Sequence, residues 1–158
     1  MNIPVLFRNH FQMGYVVQDI DRAISIMKDK FGVARWEVRH LPRGAAPAKA
    51  LGFAYVQHVM VELVQVWPGE ETIYHDWIPA EDGAARLHHL GYMIESNEDW
   101  CDTVAQFEAA GVPTALAGSS GNLIDYHYAD TVQQLGHYCE LIRLRPAGRK
   151  FWSNVPRN

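Results

Sequence analysis

The chain has only two cysteines, Cys101 and Cys139, in 158 residues. That is too few for a disulfide framework, and their wide separation gives no thiolate metal cluster. Long apolar runs are missing too: none approaches the roughly 20 residues that cross a bilayer as a helix. The opening MNIPVLFRNH lacks the charged-then-apolar layout of a secretory signal. The expectation is a cytoplasmic protein with no membrane partner. Charge of one sign is scarce, since 14 Lys and Arg against 18 Asp and Glu leave a formal net charge of −4. Basic residues thicken only at Arg143, Arg145, Arg149 and Lys150. That falls short of the clustered stripe that reads a phosphate backbone, so no nucleic-acid partner is expected.

What the chain has is a repeat. QMGYVV at 12–17 returns as HLGYMI at 89–94, setting Gln12 on His89, Gly14 on Gly91 and Tyr15 on Tyr92. VELVQV at 61–66 returns as CELIRL at 139–144, setting Glu62 on Glu140. The two anchors lie 50 residues apart in the first copy (62 minus 12) and 51 in the second (140 minus 89). A shared internal distance at a period of 77 (89 minus 12) indicates two fused copies of one module rather than a solenoid. The modules read as 1–70 and 87–146, with a connector at 71–86 and a tail at 147–158.

Each module reads as strand, helix and three strands. Residues 11–18 form a strand running into an Asp19 or Asp21 helix cap. Ile20, Ala23, Ile24, Met27 and Phe31 then recur at helical spacing and stop at Gly32. Strands follow at 36–41, 51–57 and 58–67, with a Pro/Gly/Ala loop at 42–50 and a tight hairpin at Gln57 and His58. TIYHDW in the connector suits one helical turn. The second module restarts with a strand at 87–95. Ser96 and Asp99 have capping-box spacing, Trp100, Val104 and Phe107 give the helical stripe, and Gly111 ends it. Strands at 112–118, 123–130 and 135–144 complete an α+β chain of two tandem βαβββ modules. The tail is too polar for a strand, with Phe151 and Trp152 docking.

Side chains alternate across a strand. Gln12 shares a face with Gly14, and His89 with Gly91; Glu62 and Glu140 each lie between apolar neighbours on one face. Burying such a carboxylate is costly unless it meets a proton or a metal. If the modules pack about a pseudo-two-fold axis, Gln12, Glu62, His89 and Glu140 converge, and their N and O donors suit a divalent Zn, Ni, Co or Mn ion. His10 shares parity with Gln12 and is a substitute ligand or lining residue. His88 has the opposite parity to His89 and should face the helix layer or solvent. On the seventh strand, His127 is a candidate second acid or base.

The βαβββ repeat, the [HQ]-x-G-Y strand openings, the E-L-[IV] strand endings and the glycine-terminated helices resemble the vicinal oxygen chelate superfamily over residues 10–144. That resemblance implies a cupped eight-stranded mixed sheet, an incomplete barrel, with a divalent metal ion at its mouth held by Gln12, Glu62, His89 and Glu140. In isomerase members the position of Glu140 also serves as base. The implied activity is that of a metal-dependent lyase or isomerase on a small oxygenated substrate, in a homodimer. The metal polarises a chelated carbonyl while a carboxylate moves the proton on the adjacent carbon. Two other readings stay open: a non-catalytic protein that binds aromatic or antibiotic molecules in the same cup, and an extradiol-type dioxygenase. The last is disfavoured, because Gln12 stands where the facial triad needs a His.

Overall fold

The computed structural model describes residues 7–158. Residues 1–6, the start of the segment read above for a targeting signal, lie outside the described residues. Among the described residues, eight strands and four α-helices make an α+β architecture. Strands β1 (His10–Val17), β2 (Glu37–His40), β3 (Ala48–Val56) and β4 (Val59–Val66) precede β5 (Ala85–Met93), β6 (Thr114–Ser120), β7 (Ile124–Ala129) and β8 (Tyr138–Leu144). Helix α1 (Ile20–Phe31) follows β1, α2 (Asn97–Ala109) follows β5, α3 (Val132–Leu135) precedes β8 and α4 (Pro146–Asn154) follows it.

The chain forms two compact units, one from residues 7–12 with 89–154, the other from 13–88 with 155–158. In the second, the strand order is β2-β3-β4-β1. Helix α1 packs there through Ile20 and Ala23 against Val17, Ala50 and Leu63. The expected cap holds: the Asp19 carboxylate accepts from the Arg22 amide at 2.9 Å. Gly32, at φ 74°, ends the helix in the left-handed region. The β3–β4 turn also falls where expected, with Gln57 at φ 55°. Strand β3 begins at Ala48, earlier than its Pro/Gly/Ala neighbourhood suggested, because a bulge between Ala48 and Ala50 admits Lys49. The last residues clamp this unit. Asn158 Oδ1 accepts from the Ala34 and Arg35 amides at 2.9 and 2.8 Å, and the Tyr55 amide donates to Pro156 O at 2.8 Å.

In the other unit the order is β1-β5-β8-β7-β6, and β5 runs parallel to β8, so strand direction is mixed. Ser96 Oγ caps α2, accepting from the Asp99 amide at 2.9 Å. Trp100, Val104 and Phe107 of α2 pack on Tyr92, Ile94, Cys139 and Leu141. Two helices escaped the sequence reading. Residues 132–135, of which only Leu135 fell inside an expected strand, form α3, and the tail from Pro146 forms α4, whose Trp152 is buried. Pro at a first helical position was the available signal. Gly148 brings α4 against the Leu123 carbonyl, where a Cβ would collide with backbone. Gly148→Ala is therefore expected to destabilise by about 1–3 kcal/mol, as a denaturant midpoint shift without a changed slope.

Candidate metal centre

Three of the four candidate ligands lie in one unit, on one face of neighbouring strands. β5 and β8 run in parallel register with His89 opposite Tyr138 and Gly91 opposite Glu140. His89 and Glu140 thus project to the same side. His89 Nε2 stands 3.2 Å from Glu140 Oε2, and both side chains are buried, at 0% and 5% exposure. Gln12 on β1 is equally buried and fills the space a side chain at position 91 would take: a Cβ there would lie 2.7 Å from Gln12 Oε1. The glycine of the repeated GY motif therefore leaves room for an amide beside an imidazole and a carboxylate.

This set fits a divalent cation. Glu140 Oε2 is excluded from water and makes no hydrogen bond among the described residues, for all its closeness to His89. A carboxylate oxygen so placed is costly to bury unless a proton or a cation meets it. The N and O donors match borderline divalent ions. A thiolate is not among them. Cys139 adjoins Glu140 but points to the opposite face, where its Sγ takes the Thr131 hydroxyl at 3.4 Å. Burial pushes its pKa up, partly offset by the hydrogen bonds from Thr131 and Tyr92.

Glu62 is buried at 8% exposure on β4, in the other unit, opposite Phe53 of β3. His10 places its Nε2 3.0 Å from the Gln12 carbonyl and its ring 5.7 Å from Tyr92. Those contacts hold it on backbone and core rather than beside Glu140. His88 is fully buried and so does not face solvent. It lies under the connector, with Nε2 3.1 Å from Ile73 O and its ring 4.5 Å from Tyr74 and 5.2 Å from Trp77, near the 3-10 turn at His75–Trp77.

Register decides the seventh strand. In the β7–β8 pair, Tyr128 stands opposite Glu140 and His127 opposite Leu141. His127 is therefore on the α2 side, its ring parallel to Phe107 at 6.5 Å and its Nε2 3.4 Å from Thr114 Oγ1. It is not brought together with Glu140. Tyr128 is, with its ring edge-on to His89 at 5.3 Å. Sequence reasoning missed Tyr128 because α3 interrupts the β7–β8 connection and hides the register. Burial holds the His127 pKa below its ordinary value, partly offset by the Glu108 carboxylate. A group favoured neutral in the fold costs stability once the unfolded chain protonates, so stability falls as pH drops below about 6.5, the ordinary His value, until the lower folded pKa is passed. His127→Leu is expected to flatten that part of a melting-temperature profile.

The family model of the Glyoxalase/Bleomycin resistance protein/Dioxygenase superfamily matches residues 11–127. No curated protein matches the sequence. Among solved structures, methylmalonyl-CoA epimerase from Mycobacterium tuberculosis is 15% identical, with 95% of this chain and 97% of that one covered at a TM-score of 0.66. A hypothetical protein from Bacillus halodurans is 12% identical, over 87% and 94%, at 0.61. A variant of Streptomyces coelicolor methylmalonyl-CoA epimerase in complex with 2-nitronate-propionyl-CoA is 15% identical, over 86% and 96%, at 0.62. At such identities the likeness is one of fold.

Proposed function

Since the chain belongs to the glyoxalase/bleomycin resistance protein/dioxygenase superfamily, we propose that it is a metal-dependent isomerase or lyase acting on a small oxygenated substrate. Gln12, His89 and Glu140 hold the ion. The observation that carries this reading is the buried Glu140 Oε2, 3.2 Å from His89 Nε2 and without a hydrogen bond among the described residues. Glu62 is the fourth ligand on the strength of the repeat, which aligns it with Glu140.

A bound divalent ion supplies Lewis acidity, drawing charge from a chelated carbonyl oxygen. The protein supplies the rest. Glu140 has two carboxylate oxygens, so one can serve as ligand while the other takes the proton from the carbon beside the carbonyl and returns it. Tyr128, edge-on to His89, fixes the imidazole plane. The dry surroundings of Gln12, His89 and Glu140 strengthen each of these interactions.

The test is deuterium exchange. With α-hydroxycarbonyl and β-dicarbonyl compounds in D2O, NMR should show enzyme-dependent label at the carbon next to the carbonyl, abolished by chelator. No exchange with any member, metal present, would count against proton transfer. One observation favours a second reading. Tyr126 and Tyr128 share the Glu140 face, their rings 6.3 Å apart, a wall that suits an aromatic ligand. A silent exchange assay with tight aromatic binding would favour that non-catalytic role. Gly91→Ala, which would press a methyl onto the Gln12 carboxamide, is expected to weaken metal affinity about 10- to 100-fold, read by competition with a chromogenic chelator.

A further inference from the structure

Helix α1 does not seal against its sheet along its whole length. Of the stripe expected to be core, Ile20 and Ala23 are buried, whereas Ile24 and Met27 are half-buried and Phe31 is 68% exposed. Between the C-terminal half of the helix and the strands lies a groove of about 630 Å³, lined chiefly by Met13, Tyr15, Met27, Lys30 and Val61. The connector closes it at Gly83, whose backbone lies so close to α1 that a Cβ would strike the Ile26 side chain. Val61 has the opposite strand parity to Glu62, so the groove is on the face away from that carboxylate.

We propose that this groove is a second binding site, for a small anionic amphiphile such as a medium-chain carboxylate. The volume falls within the range of small-molecule pockets, about 300–1,000 Å³. Two methionines give the lining the adaptability that irregular aliphatic chains need. Among the described residues the only charge in the lining is the Lys30 ammonium, no acidic residue lines the groove, and a second cation, Arg22, flanks Gly83 with its Nε 3.7 Å from the Cβ position. The aliphatic chain lies along Met13, Met27 and Val61, and the carboxylate meets Lys30. A second copy of the chain is a poorer occupant. Among the described residues the one large apolar side chain exposed at the groove is Phe31, and a stable interface needs about 800 Å² from each partner.

The experiment is calorimetric titration of the full-length protein with decanoate and with 1-decanol. Decanoate should saturate at one per chain with a Kd on the order of 10–100 μM. Lys30→Glu should weaken decanoate about tenfold or more while leaving decanol within about twofold. Ala84→Trp, which plugs the groove from its rim, should abolish binding of both. Absence of saturable decanoate binding by the folded protein overturns the proposal, as does Lys30→Glu weakening decanol as much as decanoate. A dimer in sedimentation that Phe31→Glu splits, with decanoate binding only the split form, also overturns it. None of these readouts depends on metal or on turnover.

Discussion

Glu140→Gln is expected to slow substrate proton exchange by about 10²- to 10⁴-fold, the usual contribution of a positioned general base. The substitution is nearly isosteric. It keeps the β5–β8 register and the Gly91 space filled by Gln12, and removes only the charge and the basic oxygen. Because the same carboxylate is assigned as a ligand, bound metal should fall with the rate. Saturating the variant with metal separates the two roles. If Glu140 is both ligand and base, added metal restores occupancy but not turnover, and KM for substrate changes less than kcat. Recovery of turnover with metal alone would leave Glu140 a ligand and move the base elsewhere, with Tyr128 the nearest candidate by position.

The largest stability effect is expected at Asp125, far in kind from that chemistry. Its carboxylate takes Arg143 in a fork, Nε and Nη2 at 3.2 and 3.0 Å, Arg145 Nε at 3.0 Å and Ser119 Oγ at 2.7 Å. Arg143 also reaches Asn97 Oδ1 at 2.6 Å and lies over the Trp100 ring. One buried carboxylate thus ties β6, β7 and β8 to the start of α2. Removing it leaves two guanidiniums without the anion they share. Both are partly exposed, at 27% and 41%, so water softens the loss. Asp125→Ala should still cost about 2–3 kcal/mol, or about 5–10 °C in melting temperature for a chain of this size. The Arg145 hydrogen bonds, then those from Ser119 and Arg143, outweigh burial and hold the Asp125 carboxyl well below the usual carboxylate range. Its stabilisation is therefore present above about pH 4, the unfolded value, and drains away as pH falls towards the depressed folded one. In Asp125→Ala that part of the acid limb should flatten. An unchanged melting point and acid limb would mean that the network contributes nothing measurable.

These two sites differ in how they could be read from sequence. Gln12, His89 and Glu140 were visible because duplication wrote them twice and strand parity put each on one face. The GY glycine was visible as a motif, but not as the gap that Gln12 fills. The caps of α1 and α2, at Asp19 and Ser96, were legible because capping is local chemistry. Asp125 was not: its partners sit 6, 18 and 20 residues away, on β6, on β8 and just past the end of β8, and only the β7–β8 register brings Arg143 opposite it. The same register puts His127, the candidate second acid or base, with Phe107, and Tyr128 with Glu140. A one-residue phase decides which face a side chain takes, and α3 conceals that phase from a count along the chain. Phe31 marks another limit. Helical periodicity put it on the apolar stripe, yet it is 68% exposed.

The most direct measurement is metal content. Protein purified without chelator and dialysed against a Zn, Ni, Co and Mn mixture should retain about one divalent ion per chain. His89→Ala should lose that ion, with circular dichroism separating loss of a ligand from loss of the fold. A wild-type chain that binds none of the four metals, or a His89→Ala chain that binds as much as wild type, would contradict the account.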